Sequence, residues 1–257
     1  MKKNLVCVGI VLIFGSLLFA SSITAQDSVS VVSYNLNKDW LKMIEGVPWF
    51  TPQQKERARY MWGNRTSFTT HAKLWYSDTV SYYCDIPDEE EIRFGYTQDP
   101  FLIRRNFSTM TTYDVIKWLG KTQVIEDTLI MPQWKILNDV REIAGHICMS
   151  AAITDTVKGQ YIVAWFALDI ASPAGPERLC GLPGLILGVE INNGALEIMA
   201  QSVTKEPLTT QLDIPHRFNG KKIKGKHITE TGYQLMVQKY MDEKRETMDY
   251  PFWGIRY

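Results

Sequence analysis

Residues 180–190 read CGLPGLILGVE. Two glycines and a proline crowd residues 181–184, and an apolar run follows without a spacer. Proline fixes φ and has no N–H to give, while glycine reaches backbone conformations closed to other residues. The first half is therefore a tight reversal. Leu185-Ile186-Leu187 show no polar alternation, which is how a strand buried on both faces reads. The stretch predicts a sharp lead-in to a central strand. Gly181 and Gly184 mark places where another backbone or a ligand can approach closely. The hexapeptide carries no titratable side chain, so shaping a turn is its simplest role.

Strand-like segments surround it. Ser28 to Asn35 (SVSVVSYN) nearly alternates, with β-branched and aromatic residues. TSFTTHAKLWYS and VSYYCDIP flank a turn at Ser77-Asp78, and FLIRRNFS, YDVIKWL and TQVIEDTLIM continue the texture. QWKILNDVREIAGHICMSAAITD, GQYIVAWFALDI and ALEIMAQSVTK complete it, with Asn192-Asn193-Gly194 as a hairpin turn. No helical period persists between Thr66 and Lys205. Strands joined by short turns imply an antiparallel sheet, not βαβ units. Trp165 and Phe166 are neighbours on one strand and so face opposite sides of it. Helices are expected over residues 52–62, where Thr51-Pro52 opens and Gly63 stops, and over 231–248, where Leu235, Val237, Tyr240 and Met241 stand among charges. The basic run at Lys221, Lys222, Lys224 and Lys226 reads as a loop or strand end. The tail DYPFWGIRY reads either as lying across the core or as reaching a partner.

The first 25 residues follow the order of a secretory signal peptide: Lys2 and Lys3, an apolar run from Leu5 to Ala20, then small and polar residues up to Ala25. The run is shorter than the ~20 residues a spanning helix needs. The expected mature chain, residues 26–257, is one domain with no later membrane span, exported to the periplasm or cell envelope. Loss of two lysines from 28 basic and 28 acidic residues leaves a net charge of −2, which offers no general attraction to nucleic acid.

The segments IAGHICMSAAI, GQYIVAWFALDI and AGPERLCGLPGLILGVE together resemble the GLPGLI family of secreted envelope proteins of Gram-negative bacteria. The family elements fall at Gly145 to Cys148, at Ala164-Trp165-Phe166-Ala167, at Gly175-Pro176 and at Gly181 to Ile186. His146 stands where the family has an aromatic residue, and Phe166-Ala167 where it has Tyr-Thr. The resemblance implies a mainly β fold, a curved antiparallel sheet or half-barrel with two short peripheral helices. It implies a ligand or partner surface at Trp165, Phe166, Gly175, Pro176, Gly181, Leu182, Pro183 and Gly184. It also implies companionship with a TonB-linked outer-membrane receptor; the eight tryptophans and twelve tyrosines offer material for an apolar ligand-carrying face or simply for a core, and binding without catalysis is the expectation.

The chain holds no G-x-S-x-G elbow, no H-E-x-x-H and no phosphate loop. His71, His146, His216 and His227 are scattered and assign neither a catalytic role nor a metal. The acidic run at Asp88 to Glu91 reads as a solvated loop, and no cofactor is implied. Hydrolysis by an unrecognised site stays open as the alternative function, and a purely structural partner as a third. Cys84, Cys148 and Cys180 read either as one disulfide with a free thiol, for which Cys148–Cys180 is our choice, or as three buried thiols. Ser28, Thr79, Thr128 and Thr156 each follow an aspartate and precede an aliphatic residue. The triplets look like an O-glycosylation site of envelope proteins, and equally like turn chemistry. Either way, Thr79, Thr128 and Thr156 are expected to be exposed.

Overall fold

A computed structural model describes residues 27–62, 67–87, 99–218, 220–253 and 256. The expected signal peptide and the acidic run at Asp88 to Glu91 lie outside the described residues. The expected turns become hairpins, and the hairpins join into one mostly antiparallel sheet. Strand β1 (Ser28–Asp39) runs through its middle. On one side follow β2 (Ser67–Tyr76), β3 (Val80–Ile86), β4 (Phe101–Asn106), β5 (Thr111–Trp118) and β6 (Lys121–Thr128). On the other side β7 (Lys135–Ile143), β8 (His146–Asp155), β9 (Gln160–Ala167), β10 (Ile186–Ile191) and β11 (Leu196–Pro207) fold back until β11 pairs with β1. The short hairpin β12 (Arg217–Phe218) and β13 (Lys221–Lys222) covers an outer-face row formed by Leu102, Val115 and Val124. A last strand, β14 (Lys226–Ile228), joins the edge of β6 in parallel, which the purely antiparallel expectation did not include. The sheet is not closed into a barrel: β7 and β14 are its two ends.

Helix α1 (Trp40–Glu45) was not foreseen; Asp39 caps it through the backbone N–H groups of Leu41 and Lys42. Helix α2 (Pro52–Trp62) has the expected bounds. Helix α3 (Glu230–Glu246) lays Val237, Tyr240 and Met241 against Trp118, as its apolar spacing requires.

The 180–190 stretch is the hinge of the packing. Strand β10 is buried on both faces, and Leu185, Ile186 and Leu187 have no exposed surface. The segment before it, residues 168–185, is neither strand nor helix, yet it lies inside the curve of the sheet. Its backbone groups find partners there. Gly181 N–H donates to Pro173 O at 2.8 Å, Leu185 N–H to Ile170 O at 3.0 Å and Ile186 N–H to Ala174 O at 3.0 Å. Ala167 N–H donates to Leu185 O, Trp134 Nε1–H to Cys180 O and the Tyr34 hydroxyl to Ile186 O. A buried loop is tolerated only when its polar backbone is satisfied in this way. Glycine is required at Gly175, where a Cβ would stand 2.6 Å from Leu179 O, and at two further points. Gly181 has φ +90°, and a Cβ on Gly184 would stand 1.9 Å from Ala167 O. The second is the close backbone approach expected from the sequence.

Gly184→Ala therefore forces β9 and the loop apart. We expect it to destabilise the fold by at least about 1–3 kcal/mol, the usual range for overpacking, measured by urea unfolding against the parent chain.

Candidate functional site

Inside the curve, the loop presents two charged residues side by side, Glu177 and Arg178. Each reaches a different group of strands. Arg178 Nε donates to Asp114 Oδ2 of β5 at 2.9 Å, and its far nitrogen donates to Glu230 at the start of α3. Asp114 has no exposed surface and is also gripped by Arg105 of β4 and by the Thr112 hydroxyl. Glu177 Oε1 accepts from the Tyr83 hydroxyl at 3.0 Å and from Arg256 Nε at 2.8 Å. Arg256 forks onto Asp85 of β3 and stacks over Phe101, its guanidinium 3.8 Å from the ring centre. The tail therefore lies across the core at Arg256. Arg178 covers Tyr233 similarly at 4.7 Å, and Lys158 lies 3.6 Å from Asp155.

Parity explains why charges gather here. Along β4, Phe101, Ile103 and Arg105 share one face; along β5, Thr112, Asp114 and Ile116 do. The inner face is thus apolar toward one end of these strands and ionic toward the other. At the ionic end a cavity of about 520 Å³ opens between this wall, the β8–β9 hairpin, the loop and α3. Arg105, Lys158, Glu177, Arg178, Glu230 and Arg256 line it together with Leu129, Ile153 and Leu179. Residues from β4 and from β9 meet around one space, so the sheet curls as the half-barrel reading expected.

The electrostatics follow from burial. Burial pushes the Asp114 carboxyl up, but Arg105 and Arg178 outweigh it and hold it below its ordinary 3.8. Burial wins at Glu177, whose carboxyl is raised above 4.5 despite Arg256. Glu177 also has φ +57°, a left-handed backbone that costs a non-glycine residue about 1–3 kcal/mol. Its Oε2 is buried and meets no hydrogen-bond partner among the described residues.

The residues singled out from sequence fall differently. Trp165, Phe166, Gly175, Pro176, Leu182 and Gly184 are buried, Gly181 is half-buried, and only Pro183 is exposed. They seat the loop and do not form an open partner surface, because the loop folds inward. Trp165 is capped by the Arg141 guanidinium at 4.5 Å. Cys148 and Cys180 are not joined: all three cysteines are thiols, Cys148 Sγ facing His146 O and Cys180 Sγ facing Met131 Sδ at 3.8 Å. Burial raises the Cys148 thiol to about 11 and the Cys84 thiol to about 12. His71 of β2 meets Asn35 of β1 and His146 of β8 meets Asp169, and neither histidine lines the cavity. Among the described residues no three His, Cys, Asp or Glu converge as a metal site. Ser28, Thr79, Thr128 and Thr156 are all exposed, and Asp155 accepts from Val157 and Lys158 N–H as a turn former would. Glu177, Arg178, Asp114 and Arg105 carried no role in the sequence reading, although Glu177-Arg178 sits directly after Gly175-Pro176, and Arg256 entered it only as part of the tail.

A family described as "Protein of unknown function (Porph_ging)" matches residues 154–188. That span holds β9, the whole inward loop and the start of β10, so the match falls on the segment that carries Glu177 and Arg178. No curated protein sequence matches the chain. Two solved structures of PNGF-II, in space groups C2 and P21, are similar with a TM-score of 0.52, at 17% and 19% identity over 83% of this chain. The chain spans 33% and 34% of the length of those chains, and at such identity the likeness is one of fold.

Asp114→Asn leaves two buried guanidinium groups facing one neutral amide, and we expect a loss of about 3–5 kcal/mol in unfolding free energy. The sign with pH is fixed by the depressed carboxyl. Its contribution is complete above the unfolded value and is lost as pH falls through the lower native one. Denaturation in acid below about pH 4 should therefore weaken the parent chain, and the variant should lack that component.

Proposed function

We propose that the chain is an exported binding protein of the cell envelope that holds a small polar ligand in the cavity beside Glu177 and Arg178. The unpartnered Glu177 Oε2 carries the reading, because a buried carboxylate oxygen without a donor is costly unless a ligand or water supplies one. Strain at the same residue supports it. The ionic lining favours a polar ligand over the apolar one suggested by the family resemblance. The GLPGLI-like elements and the signal-peptide order of the first 25 residues favour an envelope role. An outer-membrane companion remains part of the proposal, with contacts away from the buried hexapeptide. One observation favours hydrolysis as a second reading: a carboxyl raised by burial at a cavity is what a general acid needs.

Native mass spectrometry of the chain exported by its own host tests the binding reading. We expect a non-covalent small-molecule adduct on the parent that is lost in Thr231→Trp, which fills the cavity mouth from α3. Adduct-free protein, or an adduct that persists in the variant, would contradict it. Turnover of a hydrolase panel that vanishes in Glu177→Gln would favour the second reading.

We also propose that Ser28, Thr79, Thr128 or Thr156 carries sugar, since all four hydroxyls are exposed at strand ends or turns. Denaturing mass on the same sample decides it. A mass equal to the bare chain from Gln26 leaves only the turn role.

A further inference from the structure

The cavity's chemistry narrows the ligand, given the reading above that it is a binding site. Its charges already balance. Arg105 and Arg178 have Asp114 and Glu230, Arg256 and the neighbouring Lys38 have Asp85 and Glu177, and Lys158 has Asp155, five cations against five carboxylates. A ligand with net charge would bring an uncompensated ion into a largely desolvated cluster, which is strongly unfavourable. What the site lacks is a donor for Glu177 Oε2: the residue lines the cavity and is 2% exposed, but Oε2 itself is enclosed, so a ligand donor reaches it as the side chain turns toward the space. Thr231 and Gln234 stand on the α3 side of the same cavity, and both can donate and accept. Much of the remaining wall is apolar and includes Leu129, Ile153 and Leu179, with Phe101 and Tyr233 as its aromatic members. The space of about 520 Å³ lies within the range of small-molecule sites.

The geometry points to a neutral, hydroxyl-rich small molecule of the sugar or polyol class, which donates one hydroxyl to Glu177 Oε2 and rests its C–H face on Leu129, Ile153 and Leu179. Such a molecule satisfies each wall. Its hydroxyls both donate and accept, as the Thr231 and Gln234 side chains require, and its ring carbons suit the aliphatic side. A neutral donor also suits a carboxyl that burial holds above its ordinary range.

The test titrates the full exported chain with glucose, galactose, mannose, N-acetylglucosamine and inositol, followed by thermal shift and ligand-observed NMR. Glucuronate and glucosamine serve as the charged counterparts. We expect at least one neutral probe to bind, with its charged counterpart weaker by about tenfold or more. Glu177→Ala should weaken the neutral probe about tenfold to a hundredfold. If that variant does not fold, Gln234→Leu, on the exposed side of α3, should weaken it measurably with unfolding unchanged. A charged probe that binds best, or a neutral probe indifferent to both substitutions, overturns the assignment. An adduct in the native-host sample that proves to be neither sugar nor polyol also overturns it while leaving the binding reading intact. Absence of any adduct there overturns the binding reading itself.

Discussion

Asp114 is the point on which the two halves of the molecule meet. It has no exposed surface and lies between Arg105, its neighbour strand's residue, and Arg178, which arrives from the loop after β9. Among the described residues, the two halves of the sheet itself join only where β1 pairs with β11. A ladder of that kind leaves the far strands free to splay. The inward loop supplies the second connection, through Arg178 to β5 and through Glu177 to Tyr83 of β3. Buried pairs of this sort add little net stability over apolar packing, yet removing one partner is severe. They act here by fixing where the loop goes, and with it the curvature of the sheet and the cavity beneath.

That arrangement explains the glycines and the aliphatic run together. The loop must pass under β9, so Gly184 has to accept Ala167 O where a Cβ would stand. It must then continue without a break into β10, whose first residues are buried on both faces. The charged pair is held at the far end of the loop by bonds from Gly181, Leu185 and Ile186 back to residues 170–174. Seat and tip are thus one unit, and the family match at residues 154–188 covers that unit.

Much of the fold was legible because it is written in local signals. The strand runs, the Asn192-Asn193-Gly194 turn with three consecutive positive φ values, and α2 with its proline start all rest on backbone preferences of a few residues. Helix α1 and the parallel strand β14 escaped because each is short and owes its form to tertiary contacts. The site escaped for a different reason. Leu102 and Ile103, like Val115 and Ile116, are apolar at both parities, so the strands do not announce which face is inner. Without that, Arg105 and Asp114 look like solvated charges. Glu177-Arg178 stands between two glycine-proline turns, and nothing local says that the loop folds inward. The Cys148–Cys180 pairing does not form, because Cys148 Sγ faces His146 O and Cys180 Sγ faces Met131 Sδ.

Native-state hydrogen exchange measures the central claim directly, because it reports the free energy at which each amide opens. If the loop is the second connection of the sheet, the amides of Gly181, Leu185 and Ile186 open only with the global transition, at the same free energy as Val32 of β1 and Val189 of β10. Exchange of those three amides at far lower free energy, with β1 and β10 still protected, would contradict the account and reduce the loop to a peripheral cover.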